Sequence, residues 1–349
     1  MDEANNDFRI VSVPAKDHEP GSLRPIYKQN EHYPRLVSNN SSKSYRPVKN
    51  QKLSEPIGYI DQVAHTYGRY EASYASMNEM GLSVTESTCG AKTIAKALPE
   101  GKALFWIGEL SQIALERCAT VRCAVELMGN LAVKHGFYGE QEVEGSGETL
   151  LLADTKESWV FSILSTPCGS SAIWCARRVP DDHVTVVANM YTIREVDLND
   201  NSTFLYSKNM LDIAKQEKWW DGNMPFDFTR AFSSGEYGHA YYSGRRMWRV
   251  LSLMAPSLNL DATLGVNTEN VTYPWSVKVE KNVSIDMLRE LNRDHYEGTP
   301  YDLTKGMAAG PFNSPNRLDG GSRFFPQPQG AWERPIAMYR TSYSLIAVR

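Results

Sequence analysis

The run TLLLADTKESWVFSIL, residues 149–164, constrains the fold more than any other stretch of the chain. Two apolar segments, each long enough for a strand, flank the polar corner Asp154-Thr155-Lys156-Glu157. That pattern predicts a tight antiparallel hairpin. Short aromatic-rich runs from Gly58 to Ala91 predict further strands, as do residues 170–179, 183–193 and the closing 339–349. Leu110, Ile113, Ala114, Val121, Val125, Met128 and Ala132 recur at three-and-four spacing, which predicts one helix over 109–135 that Gly136 can close. Shorter helices are expected at 207–218, 244–254 and 284–293. Strands and helices come in groups, without strand–helix alternation, so the expected class is α+β with antiparallel sheets. One domain over residues 1–349 is expected, with 19–56 a polar irregular arm and 310–330 a second biased stretch rich in Gly and Pro.

Composition removes several function classes. A formal charge of -4 over 349 residues gives no pull toward nucleic acid or an anionic membrane. No run approaches the roughly 18 apolar residues of a membrane span, and the first thirty residues hold no signal-peptide apolar region. The five cysteines are few and odd in number, which speaks against a disulfide framework and for the cytosol. Sequons at Asn39, Asn40, Asn201, Asn270 and Asn282 point instead to a secreted or lysosomal route. On a single 109–135 helix, Cys118 and Cys123 lie about 140° apart around the axis and cannot share a metal. They are expected to be small buried hydrophobes, like Cys168 and Cys175. Cys89 precedes a glycine, but the sequence names no base to activate it. Dinucleotide, phosphate-loop, nucleophile-elbow and zinc-protease signatures are missing from the sequence, so neither metal nor cofactor is expected.

What remains are polar residues in apolar settings. Asn78 in MetAsnGluMetGly and Asn189 in ValValAlaAsnMetTyr must each have a satisfied amide. A turn-capping amide explains both; so does a donor aimed at the oxyanion of an acyl-transfer reaction. Arg245, Arg246 and Arg249 open a helix whose other face is apolar, where a solvated face is the ordinary explanation.

At these residues the chain resembles the dipeptidase A and secernin family of cysteine peptidases, which are N-terminal-nucleophile hydrolases. The segments that carry the likeness include HTYGRYEASYASMNEMGLSVTESTCGAK, GETLLLADTKESWVF and IWCARRVPDDHVTVVANMYTIREVD, followed by RRMWRVLSLMAPS and RDHYEGTPYDLTKGMAAGPF. The resemblance implies a four-layer αββα sandwich of two antiparallel sheets. It implies short peptides, chiefly dipeptides, as substrates, cleaved by an N-terminal cysteine whose own amine is the base. By resemblance Asn78 is the oxyanion asparagine, Asn189 an orienting residue and Arg246 the arginine lining the pocket, with Arg245 and Arg249 as neighbouring registers. Family members carry the nucleophile on a first strand, about twenty residues before an acidic segment. Met1 falls where that segment should end. The expectation is thus a frame without its nucleophile, truncated at both ends. This chain would be inactive or a peptide-binding pseudoenzyme, with sheet edges that a second copy in a homo-oligomer or a partner strand could cover.

Overall fold

The computed structural model describes residues 10–32, 36–39, 42–72, 74, 76–139, 146–236, 239–264, 273–316, 332–339, 341 and 343–348. Where the sequence reads as one domain, the chain divides into two compact units. The larger holds residues 5–178, 193–234 and 347–349; the smaller holds 1–4, 179–192 and 235–346.

In the larger unit an eight-stranded sheet runs in chain order. Its strands are β1 Val11–Val13, β2 Arg69–Glu71, β3 Met77–Asn78, β4 Ser83–Cys89, β5 Gly147–Ala153, β6 Ser158–Ser165, β7 Ala172–Val179 and β8 Phe204–Tyr206. Pairings from β1 through β6 are antiparallel, and so is that of β7 with β8. The expected hairpin is β5–β6. Its corner is closed by Asp154, whose Oδ1 accepts from the amides of Lys156 and Glu157 at 2.7 and 3.0 Å. Leu150 faces Phe161 and Leu152 faces Trp159 across the strands, which puts these apolar side chains on one face. They share a core with Leu82 and Val84 and with the helices α1 Ile107–Arg117 and α2 Val121–His135. The larger unit also holds α3 Met210–Gln216 and α4 Phe228–Phe232. The α+β class therefore stands, with helices packed on a largely antiparallel sheet.

Five expectations need correction. The single helix over 109–135 is two, because Thr120 takes an extended backbone and its side chain accepts from the Cys123 amide. A threonine placed to cap a new helix outweighs an unbroken apolar stripe. The break carries Cys118 off the helix, and Cys118 and Cys123 form a disulfide with Cα atoms 5.5 Å apart. They are not separate buried hydrophobes, and the case for the cytosol from unpaired cysteines loses its ground.

The arm 19–56 is not irregular throughout. Leu23–Tyr27 pairs antiparallel with Pro56–Asp61 and buries Arg24, Ile26 and Tyr27. Of residues 183–193 only His183–Thr185 forms a strand, paired with Ser276–Lys278. The described residues of 339–348 form no strand. Of the biased stretch 310–330, residues 317–330 lie outside the described residues.

The smaller unit is built on α5 Arg245–Met254, with α6 Ile285–Leu291 after it. Met247, Val250, Leu251 and Met254 of α5 share a core with Ala188, Met190 and Val277. The apolar stripe read from the sequence is the face α5 buries.

Candidate functional site

A π-helical turn, Ala240–Gly244, feeds directly into α5. The carbonyl of His239 accepts from both the Ser243 and Gly244 amides, at 2.9 and 3.0 Å. Such turns are frequent at functional sites, because the extra residue re-aims the helix beyond them. Here that helix opens with Arg245 and Arg246.

Arg246 is half-buried and donates from Nε to the Tyr242 carbonyl at 2.7 Å. From Nη2 it donates to the Ala188 carbonyl at 3.3 Å and to Asn189 Oδ1 at 3.0 Å. Asn189 stands between buried Ala188 and Met190 with φ of 54°, a left-handed conformation that asparagine tolerates better than most residues. Its backbone is pinned as Ser243 Oγ donates to its carbonyl at 3.4 Å. The Tyr242 ring has the Arg246 guanidinium 4.9 Å from its centroid and that of Arg334 4.4 Å away. Nε and Nη2 of Arg246 are spent on protein acceptors, and the two guanidinium groups make the surroundings of the Tyr242 ring positive, which suits an anionic group such as a carboxylate.

The neighbouring registers are committed elsewhere. Arg249 grips Asp294 with Nε and Nη2, at 2.8 and 2.6 Å from Oδ2. Arg245 is buried, 3.4 Å from Glu333, and stacks 3.5 Å from the Tyr301 ring centroid. Of the three arginines, Arg246 is the one bonded to Asn189. The structure thus brings two of the sequence candidates together.

Asn78 belongs to the larger unit and does different work. Its Nδ2 donates to the carbonyls of Leu115 and Cys118 at 2.9 and 2.8 Å, and its Oδ1 accepts from the amides of Met80 and Leu82 at 3.1 and 3.0 Å. Two of the carbonyls that α1 leaves unsatisfied at its C-terminal end are satisfied by this one side chain. Gly81 at φ 83° completes the turn, its amide bonded to the Asn78 carbonyl. Both amide hydrogens are spent, so the expected oxyanion role finds no donor here. The MetAsnGluMetGly motif has a structural explanation.

The five cysteines divide clearly. Cys118 and Cys123 are bonded to each other. Cys89 is buried and donates to the Ser87 carbonyl at 3.3 Å. Burial pushes the Cys175 thiol well up. Cys168 is exposed, and hydrogen bonds with Ser170 and then Thr166 draw it down to about 7. Its partners are hydroxyls, which do not serve as a base at neutral pH.

A charge cluster went unseen in the sequence. Arg24 is held bidentately by Glu116, at 2.8 and 3.0 Å, and also donates to Glu109. Arg69 joins Glu116 at 3.1 Å and Glu71 at 2.8 Å. These groups lie along a cavity of about 190 Å³ that His18 also lines. Since every charge named has an opposite partner, two arginines serving three carboxylates, the cluster reads as internal support. Among the described residues no group of His, Cys, Asp and Glu could hold a metal.

The model of peptidase family C69 matches residues 23–349, nearly the whole chain. The chain belongs to peptidase family C69. This C69 chain is 27% identical over 278 residues to a probable dipeptidase of Salmonella dublin, covering 79% of the chain and 55% of that protein. It is 26% identical over 326 residues to a dipeptidase of Bifidobacterium longum, covering 86% of the chain and 56% of that protein. Dipeptidase A of Lactobacillus helveticus is 24% identical over 178 residues, 51% of the chain and 34% of that protein. The chain spans about half the length of the curated relatives it matches, or less. No helix among the described residues is long and apolar enough to cross a membrane.

Proposed function

We propose that the chain is the substrate-holding frame of a dipeptidase-type cysteine hydrolase acting on short peptides, chiefly dipeptides. The family match over residues 23–349 carries this reading. In it, Arg246 takes the peptide's terminal carboxylate, and Asn189 orients the guanidinium and the peptide. Asn78 fixes the corner between β3 and the end of α1 and has no part in holding the peptide. The four-layer αββα arrangement belongs to the same proposal, supported by the grouping of antiparallel strands with α1 and α2.

A second reading comes from the cysteines. Among the described residues none of the five combines exposure with a neighbouring base, so we assign the nucleophile to none of them. The 349-residue chain is then a module that binds peptides without cutting them. Incubating it with a dipeptide panel, while following both binding heat and free amino acids, separates the readings. Binding without release supports the module. Release that is lost on alanine substitution of the three free cysteines supports the cysteine hydrolase and removes the module, whereas release that survives it removes both readings. Neither heat nor release removes both.

A further inference from the structure

We propose that Asn201 and Asn282 carry N-linked oligosaccharides, and that the chain folds in the oxidising compartment where such sugars are added. Two independent features lead there. The first is the Cys118–Cys123 disulfide, a bond that forms and persists on the secretory route and is rare in a reducing cytosol. The second is the placing of two acceptor tripeptides, Asn201-Ser202-Thr203 and Asn282-Val283-Ser284, neither with a proline at its centre.

Both asparagines are exposed, and the backbone around each is fixed by other groups. At Asn201 the Asp200 carboxylate accepts from the Ser202 and Thr203 amides at 3.0 and 3.2 Å. Arg122 donates to the Asn201 and Ser202 carbonyls at 3.3 and 2.7 Å. At Asn282 the third residue of the tripeptide, Ser284, caps α6 by accepting from the Met287 amide at 3.1 Å. Sugars at either position project from the surface and displace no packing. Asn39 is exposed as well, but its partners Asn40 and Ser41 lie outside the described residues, so the proposal does not extend to it.

The chemistry is a transfer from a polyprenyl-pyrophosphate-linked oligosaccharide. The asparagine amide nitrogen forms the bond to the sugar's anomeric carbon, the carbon–oxygen bond to pyrophosphate breaks, and the amide loses one proton. The acceptor needs only an accessible side-chain amide in the right tripeptide.

The test uses the chain isolated from its source. Treatment with peptide-N-glycosidase in heavy-oxygen water converts a glycosylated asparagine into labelled aspartate, which peptide mass spectrometry reads. Label is expected at 201 and 282 in enzyme-treated samples only. Iodoacetamide is expected to mark three cysteines in the unfolded, unreduced chain and five after reduction. Peptides recovered with plain asparagine at both positions would overturn the proposal, and label at one alone would overturn it for the other. Five marked cysteines without reduction would overturn the oxidising route. These readouts are masses, so they neither need nor test peptide binding.

Discussion

Arg246 Nη2 donates to Asn189 Oδ1 at 3.0 Å, from an asparagine held at φ 54°. The side chain is aimed by its own backbone conformation, so the two contributions can be separated by substitution. Asn189→Gly keeps the left-handed backbone and removes the amide, whereas Asn189→Ala removes the amide and adds roughly 1–2 kcal/mol of backbone strain. A hydrogen bond to a charged group is worth about 1.5–3 kcal/mol. Both variants are therefore expected to weaken dipeptide binding about tenfold or more in calorimetric titration. Urea unfolding should show lower stability for the alanine variant than for the glycine variant. Equal stability would show that the left-handed backbone is not strained.

Asn78 makes the opposite prediction. Its four hydrogen bonds close a turn and the end of α1. At about 1 kcal/mol each, Asn78→Ala should lose roughly 2–4 kcal/mol of stability. Asn78→Asp should lose at least as much, since a carboxylate would face two carbonyl oxygens. Dipeptide affinity of the folded fraction should stay unchanged. A stable Asn78→Ala variant with lost activity in a full-length relative's background would restore the oxyanion role.

The buried cluster makes stability depend on acid. Burial alone would raise the Glu116 carboxyl, but Arg24 and then Arg69 outweigh it and hold the carboxyl below its usual range. A depressed carboxyl gives stability above its unfolded pKa and loses it as pH falls through the folded value. Urea midpoints should be flat near neutral pH and fall below about pH 4. Arg24→Met strands buried carboxylates and should lose about 3–5 kcal/mol at pH 7. Its deficit should narrow in acid as those carboxyls take up protons. A deficit independent of pH would show that packing, not charge, is what Arg24 supplies.

The disulfide closes a short loop, so its contribution is modest. Chain entropy for a five-residue span gives about 2 kcal/mol. Unfolding with and without dithiothreitol should differ by that amount, with no difference in a Cys118→Ala/Cys123→Ala variant. Identical curves for the unmodified chain would mean that the bond is absent.

The hairpin 149–164, the grouping of the elements and the buried stripe of α5 were legible because each rests on local periodicity. The break at Thr120 was legible in principle, since threonine caps helices, but a continuous apolar stripe masked it. Missing the break meant missing the disulfide. The Arg24–Glu116 pair joins residues 92 apart and leaves no local trace. Asn78 and Asn189 looked alike as polar residues in apolar runs. Only their bonds separate them: Asn78 is saturated by backbone, and Asn189 holds a guanidinium. Tyr242 and Arg334 had no sequence signal, because a π-helical turn and a distant segment bring them together.

The central claim is that Arg246, set by Asn189, receives a peptide carboxylate. The most direct measurement titrates the chain with a dipeptide and with the same dipeptide amidated at its C-terminus. Binding of the acid with at least tenfold weaker binding of the amide is predicted. Equal affinity for the two, or heat from neither, would contradict it.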